Sequence, residues 1–248
     1  MASAATPSPA PTGSDNSFGR IFGALFSPKS TFASIVQRPT WVVPVILGCI
    51  LFIAVVFAFT QRGGWANFFQ KQLADNARVQ QMTPEQRENM MEKQVKFAPL
   101  FGYFEGVVIP PVAALLTAAV LLGIFNLSGS TQTTFKVSLA IVAFAWSPWL
   151  IHGLLSVLII FLKDPATVDL QNVVASNIGA LLPDGSSKWL VALLSSIDIF
   201  AIWTLFLLAV GFSATNPKKL SVGKAFALAA AGWIVFVLIK VGITAAFA

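Results

Sequence analysis

Five apolar runs, each long enough to cross a bilayer as a helix, constrain this chain more than any other feature. They begin at Trp41 (WVVPVILGCILFIAVVFAFT), Phe104 (FEGVVIPPVAALLTAAVLLGIFN), Val137 (VSLAIVAFAWSPWLIHGLLSVLIIFL), Trp189 (WLVALLSSIDIFAIWTLFLLAVGF) and Ala225 (AFALAAAGWIVFVLIKVGITAAF). A span needs about 20 residues at 1.5 Å per residue. The runs are apolar all round, as suits helices facing lipid and one another. Backbone groups cannot stay unpaired in hydrocarbon, so runs this long read as helices. Alternating strands of about ten residues are absent, which excludes a membrane barrel. The expectation is an all-α polytopic bundle of five transmembrane helices at 41–60, 104–126, 137–162, 189–212 and 225–247, with interfacial amphipathic helices.

Composition agrees. Of 248 residues, 56% are hydrophobic and 10% charged, against about 25% charged in a soluble domain. The net charge of +6 comes from scattered basic residues without interleaved aromatics, which is no nucleic-acid footprint. The single cysteine, Cys49, lies in the first run and reads as a small buried hydrophobe. Residues 1–17 (MASAATPSPAPTGSDNS) have no basic start and no apolar core of a signal peptide. Their Ala/Pro/Ser/Gly content predicts a disordered tail, with the membrane domain from residue 18 to 248.

Two polar segments flank the first span. Ahead of it, SPKSTFASIVQRP predicts a short helix over 27–38: Ser27 as cap, Pro28 at the first position, Pro39 as terminator. Phe32, Ile35 and Val36 form one apolar face. Such a helix is expected to lie in the interface, anchored by Lys29, Phe32, Arg38 and Trp41. After the span, 61–99 is a polar helical loop. Trp65, Phe68, Phe69 and Leu73 share a side there, and Thr83, Pro84 and Gln86 spell a capping-box start.

Prolines punctuate two spans. Pro110-Pro111 and Pro148 each remove a backbone bond and predict kinks or breaks. In the fifth run Gly223, Ala227 and Ala231 follow the small-xxx-small spacing of close helix packing.

Charge leaves the orientation open. With the N-terminus inside, the short inner segments carry seven basic residues and the short outer loop two, but the long loop adds six to the outside.

Four ionisable residues fall within spans: Glu105, His152, Asp198 and Lys240. Charges in hydrocarbon are expensive and mark candidate sites. At about 1.5 Å per residue all four fall toward one leaflet, with an Asp198–Lys240 pair sterically reasonable. One reading is a polar cluster that takes an ion, a proton or a lipid headgroup. The other is a neutralised pair that fixes helix register, with Lys240 snorkelling. Catalytic patterns are missing. One histidine excludes HExxH, and there is no G-x-S-x-G or Walker loop. Ser195 shares a face with Asp198 but has no base beside it. No catalytic residue, metal ligand or cofactor is expected.

Four stretches in order carry a family resemblance. FSPKSTFASIVQRPTWVVPVIL supplies Phe26, Ser27, Pro28, Thr31, Phe32, Pro39, Trp41 and Pro44. MTPEQRENMMEK (82–93) follows in the long loop, then AFAWSPWLI in the third run, and SIDIFAIWTLFLLAVGF with Asp198, Trp203 and Gly211. Together they resemble the prokaryotic branch of the Yip1-domain family, from about residue 18 to the C-terminus. The resemblance implies five transmembrane helices, a cytoplasmic N-terminus and a C-terminus on the far side of the cell membrane. Eukaryotic relatives act in vesicle trafficking, bind small GTPases and associate with one another. The chain lacks their DLYGP signature, so GTPase binding is not carried over. The expected function is a non-enzymatic membrane protein organising membrane or partner proteins. Its partners would be the lipid bilayer and other membrane proteins or copies of itself, with no nucleic acid. The alternative is a small transporter or lipid-handling protein that uses the polar layer.

Overall fold

The computed structural model describes residues 16–74, 77–170, 172–183 and 185–246. The tail expected at 1–17 lies outside the described residues as far as residue 15. The helices are α1 (Ser17–Phe26), α2 (Pro28–Gln37), α3 (Val42–Gln61), α4 (Gly64–Ala74), α5 (Ala77–Gln80), α6 (Pro84–Leu127), α7 (Phe135–Ala145), α8 (Ser147–Leu162), α9 (Lys188–Leu194), α10 (Ile199–Ser213) and α11 (Val222–Ala246). Among the described residues no strand forms; one isolated bridge pairs Asn177 with Asp198. Four helical stretches are long and apolar enough to cross a membrane: Val42–Gln61, Pro84–Leu127, Phe135–Leu162 and Val222–Ala246. The fourth run, 189–212, is not one helix. It is divided into α9 and α10 at Ser195–Asp198.

The second run begins much earlier than its apolar stretch. Thr83 and Gln86 form the capping box, each side chain accepting the other's backbone N–H, at 3.2 and 3.0 Å. The helix so started continues through Pro99, Pro110 and Pro111 to Leu127 without interruption. A proline frees the carbonyl four residues back. For Pro111 that carbonyl is Val107, and the Cys49 thiol donates to it at 3.9 Å. For Pro148 it is Phe144, whose carbonyl accepts the Ser147 hydroxyl at 2.6 Å. Pro148 nevertheless divides its run: the chain turns at Trp146, and α8 restarts with Pro148 in its first turn.

At the centre stands α7, in which every residue from Ser138 to Ala145 is buried. It packs on α6, α10, α3 and α2, while α11 lies across α10 and α6. Ser138 donates from α7 to the Ala118 carbonyl of α6 at 2.7 Å. Phe125 and Phe212 stack with centroids 4.0 Å apart. On α11 the close-packing small residues are Ala225 and Ala229, both buried, with Gly232 set against Ile124. The expected stripe of Gly223, Ala227 and Ala231 is exposed instead. Helix α11 presents a different face because it must meet α10 and α6 together.

The segment before the first span also departs from expectation. It is a hairpin of two helices, α1 and α2, with α1 capped by Asn16. Gly23 permits the close approach: a Cβ there would lie 2.5 Å from the Thr31 hydroxyl. Arg20, 5% exposed, donates to the Arg38 carbonyl at 2.9 Å, the Ser34 hydroxyl at 3.1 Å and the Thr40 hydroxyl at 3.3 Å. It thereby ties the end of α2 to α1. Ser27 makes no side-chain cap; its carbonyl accepts from Ser30 and Thr31. Phe32 and Ile35, expected on lipid, have no exposed surface. They plug the end of the bundle, with Phe32 against Gly211 of α10. The exposed apolar stripe lies on α1, at Phe18, Phe22 and Phe26, spaced four apart.

Gly211 therefore marks a contact that a side chain would destroy: a Cβ would strike Ile141 and come within 3.0 Å of the Phe32 ring. Gly211→Val is expected to destabilise by about 1–3 kcal/mol through overpacking. Gly123→Ala, which meets open space, should leave stability unchanged or raise it. Thermal unfolding in detergent, read by loss of monodisperse protein, separates the two.

Candidate functional site

The polar residues inside the spans gather at the α9–α10 break. A helix that starts inside a bilayer leaves its first amides without intrahelical partners. Asp198 supplies them: Oδ1 accepts from the amides of Phe200 at 2.7 Å and Ala201 at 3.2 Å. Its other oxygen accepts the Ser176 hydroxyl. Ser176 belongs to the α8–α9 connection, which pairs with the break. The Ile178 amide donates to the Ile197 carbonyl and the Ile199 amide to the Ser176 carbonyl, each at 3.2 Å. Asn177 starts a 3₁₀ turn, accepting the Ala180 amide at 3.0 Å. Asp198 is 5% exposed, and its carboxylate holds two strands of backbone at once.

Lys240 does not meet Asp198. Its ammonium donates to the Ser196 hydroxyl at 3.1 Å, on the α9 side of the same break. Ser196 in turn donates to the Ala192 carbonyl at 2.8 Å. His152 approaches from α8, its ring edge-on to Phe200 with centroids 5.2 Å apart and tilted against Trp149 at the same distance. Its Nδ1 lies 3.4 Å from the Ser156 hydroxyl. Three of the four predicted residues thus come to one break, reached from α8, α10 and α11. Glu105 does not join them. It is exposed on α6 beside Phe101 and Phe104. Its neighbour Gly106 packs on Ile53 of α3, about 12 Å by helix rise from the end of that span. Glu105 therefore lies on the side of its helix away from the break.

Of the expected interfacial anchors, Lys29 and Arg38 are exposed, Trp41 is half-buried on the core, and Phe32 is a core residue. The sequence reading missed Arg20, which orders the hairpin, and Ser176, which completes the Asp198 shell. For Ser176 no local pattern pointed there. For Arg20, a lone basic residue in an otherwise apolar helix was the available signal.

A groove of about 390 Å³ opens between α3, α6 and α8. Gly48, Leu51, Ala113, Trp149 and Gly153 line it, with His152 and Ser156 as its polar rim. The small residues create the space, and aromatic side chains wall it. Among the described residues no group of three metal-ligating side chains converges.

The architecture is that of a polytopic α-helical membrane protein whose intramembrane polar residues serve a broken helix. The profile of the Yip1 domain matches residues 22–243, and the chain belongs to that family. It is 27% identical over 216 residues to the "Membrane protein YknW" of Bacillus subtilis (strain 168), covering 86% of this chain and 82% of that one. No solved structure matches it.

A cap and a charge are separable at Asp198. Asn accepts at a helix start as well as Asp does, whereas Ala costs about 0.5–2 kcal/mol. Asp198→Ala should lower the unfolding temperature and expose 172–183 to protease in proteoliposomes. Asp198→Asn should do neither to a comparable degree. Equal damage from both would show that the charge, not the acceptor, is what matters.

Proposed function

We propose that this chain is a non-enzymatic multi-pass protein of the cell membrane that organises the membrane or partner proteins, with residues 18–248 as one membrane domain. The observation that carries this reading is the use to which Asp198 is put. Its carboxylate takes two helix amides and the Ser176 hydroxyl, which supports a structural role for it as a clamp. The His152 Nδ1 faces the Ser156 hydroxyl of its own helix.

The charge distribution supports a cytoplasmic N-terminus. The end that holds α1–α2, the α6–α7 turn and the α10–α11 loop carries Arg20, Lys29, Arg38, Lys136, Lys218, Lys219 and Lys224, with no acidic residue from 16 onward in those segments. Cytoplasmic loops are enriched in this way. Lys29, Arg38 and Trp41 would then sit at the inner headgroup level, and the Phe18/Phe22/Phe26 stripe would enter the same interface. On the far side α6 offers a handle. Its 44 residues reach about 66 Å, well beyond a hydrocarbon core of about 30 Å. The projecting third carries exposed Glu85, Arg87, Glu88, Glu92, Lys93 and Lys96. A charged arm of this kind suits reversible contact with another protein.

A second reading, lipid handling or transport, is favoured by the groove between α3, α6 and α8. Apolar side chains line most of it, with His152 and Ser156 as polar groups in its wall.

Reconstitution distinguishes them. The organising role predicts no solute flux or lipid scrambling above empty liposomes. It also predicts membrane-protein partners that co-purify in mild detergent with the wild type but not with Glu85/Glu88/Glu92→Lys. Scrambling by the wild type that is abolished by Leu51→Trp, which fills the groove, would overturn the organising role and establish the second reading.

A further inference from the structure

A second polar site lies at the opposite end of the bundle from the Asp198 break. There the α6–α7 turn, the α10–α11 loop and the end of α2 border an open cavity of about 490 Å³. The two loops are joined directly, the Asn216 amide donating to the Ser130 carbonyl at 3.2 Å. Gly129, at φ +67°, lets the chain reverse after α6. Asn126 then holds the turn: its Oδ1 accepts from the Thr131 hydroxyl at 2.9 Å and the Thr133 amide at 3.1 Å. Its Nδ2 donates to the Thr133 carbonyl at 3.0 Å.

Three features of this cavity point the same way. Hydroxyls and amides line it, together with the ammonium-bearing Lys219, and no carboxylate does. Thr134, on its wall, begins α7, whose first-turn amides carry the positive end of the helix dipole. Ser130 also lines it, is 2% exposed, and has a hydroxyl without a hydrogen-bond partner. A buried polar group without a partner is costly, and this one belongs to a residue that lines the cavity. No acidic residue lies in 127–136 or 214–224, and these stretches also carry Lys136, Lys218 and Lys224.

We propose that this cavity binds a phosphate group. Lys219 supplies the charge, and the Ser130 and Thr134 hydroxyls with the amides leading into α7 supply the donors; the Thr131 hydroxyl and the Thr133 amide stay with Asn126 and hold the turn. A phosphate presents several acceptor oxygens and no donor when ionised, which matches a wall of donors with one cation. Two sources share that chemistry: the headgroup of an anionic phospholipid in the adjoining leaflet, and a free phosphate from the aqueous side.

The test uses the full chain in a nonionic detergent. Native mass spectrometry measures retention of phosphatidylglycerol against phosphatidylcholine, and thermal unfolding is followed with inorganic phosphate against chloride at equal ionic strength. Lys219 is exposed, so Lys219→Gln should fold normally. It should weaken binding about tenfold, the effect of losing one charge-assisted hydrogen bond. Lys224→Gln, on the same face but outside the cavity, should have little effect. Selective phosphatidylglycerol retention that depends on Lys219 assigns the lipid headgroup. Stabilisation by inorganic phosphate that depends on Lys219 assigns the free anion. Equal weakening by both substitutions would mean a diffuse basic surface, and no response to either ligand would mean no site. Each of those outcomes overturns the proposal.

Discussion

Hydrocarbon offers no hydrogen bonds, so every break in a membrane helix must be repaired by the chain itself. The rest of this structure follows from how that demand is met. Asp198 and Ser176 restore the α9–α10 break. Ser147 takes up the Phe144 carbonyl freed by Pro148, and Cys49 takes the Val107 carbonyl freed by Pro111. Of the four residues that look like an ion-binding inventory in the sequence, Asp198 replaces lost backbone bonds, while His152 and Lys240 meet serine hydroxyls and Glu105 stands apart. The repairs also permit the architecture. Helix α10 can start in the middle of an apolar run only because Asp198 caps it, and the α8–α9 connection can pair with that start only because the same carboxylate receives Ser176.

Packing completes what the repairs allow. Helix α7, buried along its length from Ser138, has no lipid face, so its neighbours must enclose it. At one end no span is available to do so, and α2 fills the position with Phe32 and Ile35. Arg20 holds α2 in place through Ser34, Arg38 and Thr40, which explains a buried guanidinium at the edge of a membrane protein. The hairpin therefore divides its labour: α2 closes the core, and α1 turns its phenylalanines outward.

Much of this was legible in the sequence, and what was not has identifiable reasons. Run length gave the membrane helices, and the Thr83–Gln86 pattern gave the start of α6. The break at Ser195–Asp198 was hidden because a short polar patch inside an apolar run is compatible with a continuous helix. In hindsight Asp followed by Ile199-Phe200 is an N-cap pattern. Depth arithmetic placed Glu105, His152, Asp198 and Lys240 in one leaflet, but depth carries no azimuth, and Glu105 faces outward from α6. Phe32 was assigned to lipid because an amphipathic pattern shows that a face is covered without showing by what. Ser176 belongs to a loop whose pairing with the break depends on tertiary contacts alone.

The central claim is that Asp198 replaces backbone hydrogen bonds in a dry break rather than facing a water-filled pathway. Hydrogen–deuterium exchange of the full chain in lipid nanodiscs tests it most directly, at the amides of Ile199, Phe200 and Ala201. Slow exchange in the wild type, retained with Asn and lost with Ala at position 198, is the expected result. Rapid exchange at these amides in the wild type would mean that water already serves the break, and would contradict the account.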